Sequence, residues 1–569
     1  MNFSTVTKRG VIPFLLALTF WSPGSSAADA VAVEKRLPPD VLALVSCPSV
    51  AQLKSRFNAS SMGQLMQDES FADFFQQIET QLEAVSNQIQ EQAGVSLKQI
   101  LNIPQGEFTF AVIRTPDRKL GFVMLIDFGK NRTIVDGLLE KAQSAIADAG
   151  EVEHSTEEID GTTVHVYTPQ AAAAADGAPE FKPSYCIRDT YYILGSSVPA
   201  LQSILVRWDG DNERTLSSNA TYAYIASKCR NSGRTPAAIW FIDPINLVTN
   251  ALQMSGQNSV QASMFLGFLP TLGLNGFRGV GGSMDLATGD FDSESRTFMF
   301  VDQPASGVMG LFQFPAADLT PPEWVPADSS MYVQANWDVA TAYKSVETLV
   351  DSFQGAGALQ GMIDGMANSP DGPQLHLKKD VIDLLSGRIV MVSNPGTDDD
   401  LQTPRMLLAL GLKGGVEKMR AVMAKIGGTP GFPGESRDFR GTTIYEFPTP
   451  ASTIGLATSR GHLVLATDVS ALEQMIRGDV DSLKGATDFQ KTMQHIPDRV
   501  SAITYQKPES QLRQVYDLLR SGAADAAIPG LDLTVLPDFD AVKKYLPTSG
   551  AYYVPDKNGA LGVSFSLKK

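Results

Sequence analysis

Gly161-Thr162-Thr163-Val164-His165-Val166-Tyr167-Thr168-Pro169 has a counterpart in Gly441-Thr442-Thr443-Ile444-Tyr445-Glu446-Phe447-Pro448-Thr449-Pro450. Each stretch is a Gly-Thr-Thr lead followed by a strand, a start after a turn in which Thr is at home. The offset is 441 − 161 = 280 residues. Downstream, Tyr191 to Leu201 aligns with His462 to Leu472 at an offset of 462 − 191 = 271 residues, so the first half holds nine extra residues between the two blocks. The Ala-rich stretch from Gln170 to Pro179 is the natural place for them, because a low-complexity loop tip tolerates insertion.

Further blocks keep the same order. Phe122 to Leu139 matches Met406 to Met423, each an apolar strand followed by an amphipathic helix. Leu37-Pro38-Pro39-Asp40 leads into the strand Val41 to Val45, as Val325-Pro326-Ala327-Asp328 leads into Ser329 to Val333. Both halves close on a hairpin: Val280 to Leu286 turns through Ala287 to Asp290 into Arg296 to Val301, and Gly550 to Val554 turns through Asn558-Gly559 into Leu561 to Leu567. Asn-Gly is a strong hairpin signal because both residues tolerate positive φ. The expected fold class is therefore α+β: two tandem, pseudo-symmetric repeats, each a mainly antiparallel sheet covered by helices. The first repeat spans 37–303, a Pro- and Gly-punctuated linker 304–322, and the second repeat 323–569. Within each repeat the pattern predicts strand, helix, two strands, helix, three short strands, two helices, a strand, a helix and the closing hairpin. The longest early helix carries Phe71, Phe74, Phe75, Ile78, Leu82, Val85 and Ile89 on one face, a stripe expected to face the core. Asp68 or Ser70 is placed to cap its start, and Gly94 follows its end.

The N-terminus has Lys8 and Arg9, an apolar run from Val11 to Trp21 and the small residues Ser25 to Ala30. That layout predicts a signal peptide over 1–27, or 1–30, and an exported, periplasmic or extracellular protein. The apolar run is too short to span a bilayer, and no later stretch of about 18 apolar residues is uninterrupted, so no transmembrane segment is expected in the mature chain. Sixty-two acidic against 46 basic residues give a net charge of −16. This balance argues against nucleic acid and anionic lipid as partners, and no phosphate-binding surface is expected. Cys47, Cys186 and Cys229 exclude a disulfide-stapled scaffold, leaving either one bridge between Cys186 and Cys229 or three buried thiols.

No motif specifies a reaction. Gly195-Ser196-Ser197 sits between a strand and a helix but lacks the second glycine of a nucleophile elbow, so a helix N-cap is expected there. His154, His165, His376, His462 and His495 are scattered, without zinc-ligand spacing. Asp285, Asp290, Asp292 and Glu294 lack the spacing of a calcium loop and, like the run Asp398 to Asp400, are expected to be solvated. Gly279-Val280-Gly281-Gly282 enters a strand rather than opening a helix, so nucleotide binding has no support. No residue is assigned a catalytic, cofactor-binding or metal-ligating role, and no cofactor is expected.

The signal peptide, the opening Leu37 to Val41 followed by Ser49 to Phe57, the segment Phe71 to Phe75 and the unit Tyr191 to Leu205 resemble a family of uncharacterised exported proteins of planctomycete-type bacteria. The resemblance implies an envelope location and carries over no catalytic residue. The sequence thus predicts an exported non-catalytic protein of the periplasm or cell surface that binds or organises an envelope partner, a protein or polymer of unknown identity. The alternatives are a hydrolase acting on an envelope polymer, which needs a cleft with converging carboxylates, and a carrier of an apolar ligand. The 18 methionines and the run Met264 to Leu269 motivate the carrier.

Overall fold

The strands alternate buried and half-exposed residues at the period of two that a sheet covered on one face requires. In Phe108–Arg114, for example, Thr109, Ala111 and Ile113 are buried while Phe108, Phe110 and Val112 are only half-buried. The computed structural model describes residues 31–569 apart from 94–95, 150–151, 170–181, 232, 255–263, 265, 371, 395–404, 451 and 523–529. The segment expected to be a signal peptide, the Ala-rich insertion, part of the Met264 to Leu269 run and the Asp398 to Asp400 acids lie outside the described residues.

Among the described residues, twenty strands form one antiparallel sheet. They are β1 (Val41–Cys47), β2 (Phe108–Arg114), β3 (Leu120–Asp127), β4 (Val152–Ile159), β5 (Thr162–Pro169), β6 (Ser184–Arg188), β7 (Tyr191–Gly195), β8 (Ala238–Ile242), β9 (Phe277–Thr288) and β10 (Phe291–Val301). Then come β11 (Met331–Asn336), β12 (Leu385–Asn394), β13 (Arg405–Leu412), β14 (Glu435–Phe439), β15 (Thr442–Pro448), β16 (Thr453–Ser459), β17 (His462–Ala466), β18 (Ala502–Gln506), β19 (Ser549–Asp556) and β20 (Gly559–Leu567). The pairings run β4-β5-β6-β7-β3-β2-β1-β8-β9-β10-β20-β19-β18-β11-β12-β13-β17-β16-β15-β14. Each strand among the first ten has the same neighbours as the strand ten places later, and β10 meets β20 in the middle. The exposed edges, β4 and β14, carry Glu153, Glu157 and Glu158 on one side and Glu435, Arg437 and Asp438 on the other, charges that discourage edge-to-edge pairing.

Helices cover one face of the sheet along most of its length, and the helices Arg132–Ala149 and Glu417–Gly427 cover the opposite face towards its two ends. Leu201, Ile204 and Leu205 of the helix Val198–Leu205 and Tyr222, Ile225 and Cys229 of Ala220–Cys229 pack on Leu44, Ala111, Val123, Val164 and Ile193. In the second cluster Leu472 and Met475 of Val469–Arg477 and Phe489 of Thr487–Met493 pack on Tyr332, Val390, Ala409, Ile444 and Val464. On the opposite face Val45, Met284, Met299, Leu465 and Tyr553 are exposed.

Several local expectations need correction. Four short strands, not three, follow the helix Arg132–Ala149, because β4 is an exposed edge with no apolar alternation to betray it. The helix Ala72–Ala93 does not bury its stripe: Phe71 is buried against Phe539 and Val542, whereas Phe74, Ile78 and Leu82 are half-buried and Val85 is 49% exposed. It docks by its first turns on the segment 530–546, where Gln77 and Asp532 exchange hydrogen bonds, and not under the sheet. Asp68 accepts from the Ser70 amide just before this helix. The last hairpin turns through Lys557-Asn558, with Asp556 opposite Gly559. Gly559 is needed for another reason: at φ 135° its α-carbon lies so close to β10 that an added Cβ would stand 1.9 Å from the Met299 carbonyl oxygen. Of the acids around the first hairpin, Asp290 is exposed as expected, but the others are not simply solvated. Asp285 and Glu294 are buried, Asp285 pairing with Arg56 at 2.8 Å and Glu294 with Arg296 at 2.9 Å. Asp292 accepts from the Ser61 amide, so Asp285 and Asp292 clamp the helices Val50–Ala59 and Ser61–Leu65 to the sheet. All three cysteines are free and buried, and burial pushes the Cys186 and Cys229 thiols up to about 12.

One buried charge pair sits inside the first core. Arg36 lies with its guanidinium carbon 4.1 Å from the Trp208 ring centre and 4.7 Å from that of Tyr191, 4.0 Å from the Glu107 carboxylate. Burial raises the Glu107 pKa, against the hydrogen bond from Thr109 and the charge of Arg36. Arg36→Met leaves this carboxylate without its cation, an arrangement that costs about 3–5 kcal/mol. Urea unfolding is expected to show that loss above the raised Glu107 pKa and a smaller one as the pH falls through it, because a protonated carboxyl needs no counter-charge.

Candidate functional site

The turn Asp160-Gly161, both residues at positive φ, reverses β4 into β5 and sets the register that brings rings on β4, β5, β6 and β7 to one face. Direct partners His154 and Tyr167 stack at 4.9 Å, and direct partners His165 and Tyr185 at 4.7 Å with their planes 7° apart. His154 also stacks on His165 at 5.2 Å, and Tyr192 meets Tyr185 at 5.4 Å with its ring tilted by 33°. Cross-strand aromatic pairs of this kind stabilise a sheet, and here they also assemble a continuous ladder of polar rings.

The helix Arg132–Ala149 lies over this ladder, and Gln143 donates to the Tyr185 hydroxyl at 2.7 Å. Between helix and strands runs an open groove of about 670 Å³, with Asp136, Glu140 and Gln143 on the helix side and His165, Tyr185 and Arg188 on the strand side. That volume falls in the range of small-ligand sites. Most of its carboxylates are committed: Asp136 accepts from Arg132 at 2.8 Å, Asp160 from Arg188 at 2.8 Å, and Asp189 from the Trp208 indole at 2.7 Å. Glu140 is the wall carboxylate with no partner among the described residues.

His154 Nε2 stands 3.0 Å from His165 Nδ1, so one ring must donate and the other accept. Burial, helped by the neighbouring His154, lowers the pKa of His165. Burial of the Tyr185 hydroxyl, with Tyr167 beside it, pushes that phenol up to about 12. Both rings thus stay neutral near pH 7, able to offer hydrogen bonds and π-faces but no charge. The sequence suggested five scattered histidines. The hairpin register joins two of them, and recognising Asp160-Gly161 as a two-residue turn would have revealed it.

The second ten strands fill the corresponding place. Tyr445, Phe447, Leu456 and Leu463 stand on β15, β16 and β17 beneath Met419, Val422 and Met423 of the helix Glu417–Gly427. A Cβ on Gly427 would come within 2.5 Å of the Tyr445 ring, so this glycine lets the helix end close over it. Within Gly195-Ser196-Ser197, Ser197 is the N-cap residue of the helix Val198–Leu205, as expected, though its side chain makes no capping bond, while Ser196 accepts from the Phe122 amide at 3.0 Å, as Thr467 accepts from Met406 at 2.9 Å. Among the described residues no group of three or more His, Cys, Asp or Glu is placed to hold a metal, and no helix is long and apolar enough to cross a membrane.

Residues 17–235 match a family model described as "Protein of unknown function (DUF3352)". The match takes in every residue of the groove named above and stops before β8. It agrees with the sequence resemblance in pointing to an uncharacterised family. No curated protein and no solved structure matches the chain.

The lowered His165 pKa has a direction that can be measured. The folded chain holds the His165 proton less tightly than the unfolded chain does, so its contribution to stability is present above about pH 6.5 and is lost as the pH falls through the lowered value. An NMR titration is expected to place His165 below the ordinary histidine value of about 6.5, and His165→Gln should flatten the stability profile below pH 6.5.

Proposed function

We propose that this chain is an exported, non-catalytic protein of the periplasm or cell surface that holds an envelope polymer in the groove between the helix Arg132–Ala149 and the ring ladder. The observation that carries the proposal is the ladder itself: His154, His165, Tyr167 and Tyr185 stack into a polar aromatic surface beside an open groove. Rings with an apolar face and a polar edge suit a polymer of sugar rings, each of which has apolar C–H faces and a rim of hydroxyls. Export rests on the N-terminal layout, and the planctomycete-type kinship on the resemblance. The identical strand neighbours on either side of the β10–β20 pair support a duplication, with one repeat over 37–303, a connection over 304–322 and a second repeat over 323–569. In this proposal the first repeat kept an open groove while the second filled its counterpart with apolar side chains.

The test uses the mature chain from residue 28 and purified peptidoglycan or surface polysaccharide. Saturable binding is expected, weakened roughly tenfold, or about 1.4 kcal/mol, by His165→Ala and by Gln143→Ala. Absent binding, or binding that neither substitution changes, overturns the proposal. Cleavage of the polymer that disappears in Glu140→Gln would establish the hydrolase in its place.

A further inference from the structure

A second cavity, of about 630 Å³, opens at the far end of β1 and β2, where Arg114, Arg118, Arg207 and Arg214 line one space with Asp40 as the single carboxylate on its wall. Three stretches of chain meet there. Arg114 ends β2 and Arg118 stands at φ 63° on the following turn, Arg207 follows the helix Val198–Leu205, and Arg214 lies seven residues further on. In a chain with 62 acidic and 46 basic residues such a gathering is against the average.

None of the four arginines has an ion pair among the described residues. Arg114 donates to the Asn250 side-chain oxygen at 3.2 Å, a neutral acceptor. Arg207 donates to the main-chain oxygens of Arg214 at 2.6 Å and Ser203 at 2.7 Å, which fixes its guanidinium without neutralising it. Arg118 and Arg214 are exposed. Asp117, next in sequence to Arg118, is turned to its own loop, held by Thr115 at 2.6 Å and Lys119 at 3.4 Å. Burial first, and the neighbouring Arg214 second, lower the pKa of Arg207, against the opposing charge of Asp40.

The corresponding place among the later strands shows what the pocket looks like when it is closed. Pro326, Arg405 and Gln474 line a space of about 20 Å³. Its arginine, Arg405, is paired with Asp468 at 3.2 Å.

We propose that the four-arginine pocket is a binding site for a phosphate group carrying two or more negative charges. Guanidinium forks pair with phosphate oxygens bidentately, and four forks facing one carboxylate leave an excess of positive charge that a monovalent anion does not balance. The cavity is larger than a lone phosphate needs, so it has room for the group that the phosphate esterifies. Every residue of the pocket named here lies within the stretch 17–235 that matches the family model. This site is separate from the ring groove and does not depend on the polymer proposal. It also reverses the expectation, drawn from net charge, that no phosphate-binding surface exists.

Calorimetry on the mature chain with inorganic phosphate, pyrophosphate, a sugar phosphate and acetate tests it. Pyrophosphate is expected to bind, acetate at least roughly tenfold more weakly, and affinity to fall as salt rises from about 50 to about 500 mM. Tighter binding of the sugar phosphate than of inorganic phosphate would show an esterified ligand, and the reverse order a free one; either order supports the site. The double variant Arg118→Gln/Arg214→Gln removes two exposed side chains and should keep the wild-type melting temperature while losing roughly tenfold or more in pyrophosphate affinity. His165→Ala should leave that affinity unchanged, which separates this site from the groove. No binding of phosphate or pyrophosphate by the wild type, equal binding by the double variant, or acetate binding as tight as pyrophosphate overturns the proposal.

Discussion

The antiparallel ladder between β10 and β20 is the contact on which the arrangement depends. It pairs the last strand of the first ten with the last strand of the chain, from Phe291 opposite Leu567 to Phe300 opposite Gly559. Strand pairing alone would leave a hinge across so wide a sheet, so side chains lock it from both sides. Tyr224 and Lys228 of one helix donate to the Asp556 carboxylate at 2.6 and 2.7 Å, and Phe291 packs edge-on against His495 at 5.0 Å. Long helices also cross the junction. Phe71, at the start of Ala72–Ala93, packs on Phe539 and Val542, while Phe353 of the helix Val339–Gln354 meets Phe268 at 5.6 Å. This exchange explains why the apolar stripe of Ala72–Ala93 is only partly buried: its neighbour is a narrow segment of distant chain rather than a sheet face.

Much of the fold was legible because the signals that define it are local. The Gly-Thr-Thr leads are the starts of β5 and β15, the Leu37-Pro38-Pro39-Asp40 opening precedes β1, and both closing hairpins are present. What was missed lacked a local signal. β4 and β14 are edge strands whose exposed charges show no period of two. Asp285 and Glu294 look like turn residues in sequence and become buried only because Arg56 and Arg296 reach them.

The candidate sites were less legible still, since each depends on register or convergence. His154 meets His165 only once the Asp160-Gly161 turn fixes which residues face each other. The four arginines come from separate stretches of chain and meet only after the helix Val198–Leu205 packs on β3 and β7. A net charge of −16 describes the whole surface and conceals such a local reversal.

The two sides of the junction share a plan and differ in what fills it. Arg36 on Tyr191 and Trp208 in the first core has its counterpart in Trp324 packed on His462 at 5.6 Å in the second. Arginine-lined space on one side corresponds to a paired Arg405 on the other, and an open ring groove to a packed apolar cluster. The continuity of the sheet makes these differences comparable position by position. Ser295 and Ser564 face each other directly across β10 and β20. Neighbours in that relation have α-carbons about 4.5–5.5 Å apart, within disulfide reach. The double variant Ser295→Cys/Ser564→Cys, oxidised mildly in the folded state, is predicted to close an intramolecular crosslink seen as a mobility shift that reductant reverses. A folded double variant that stays uncrosslinked would contradict the continuous sheet.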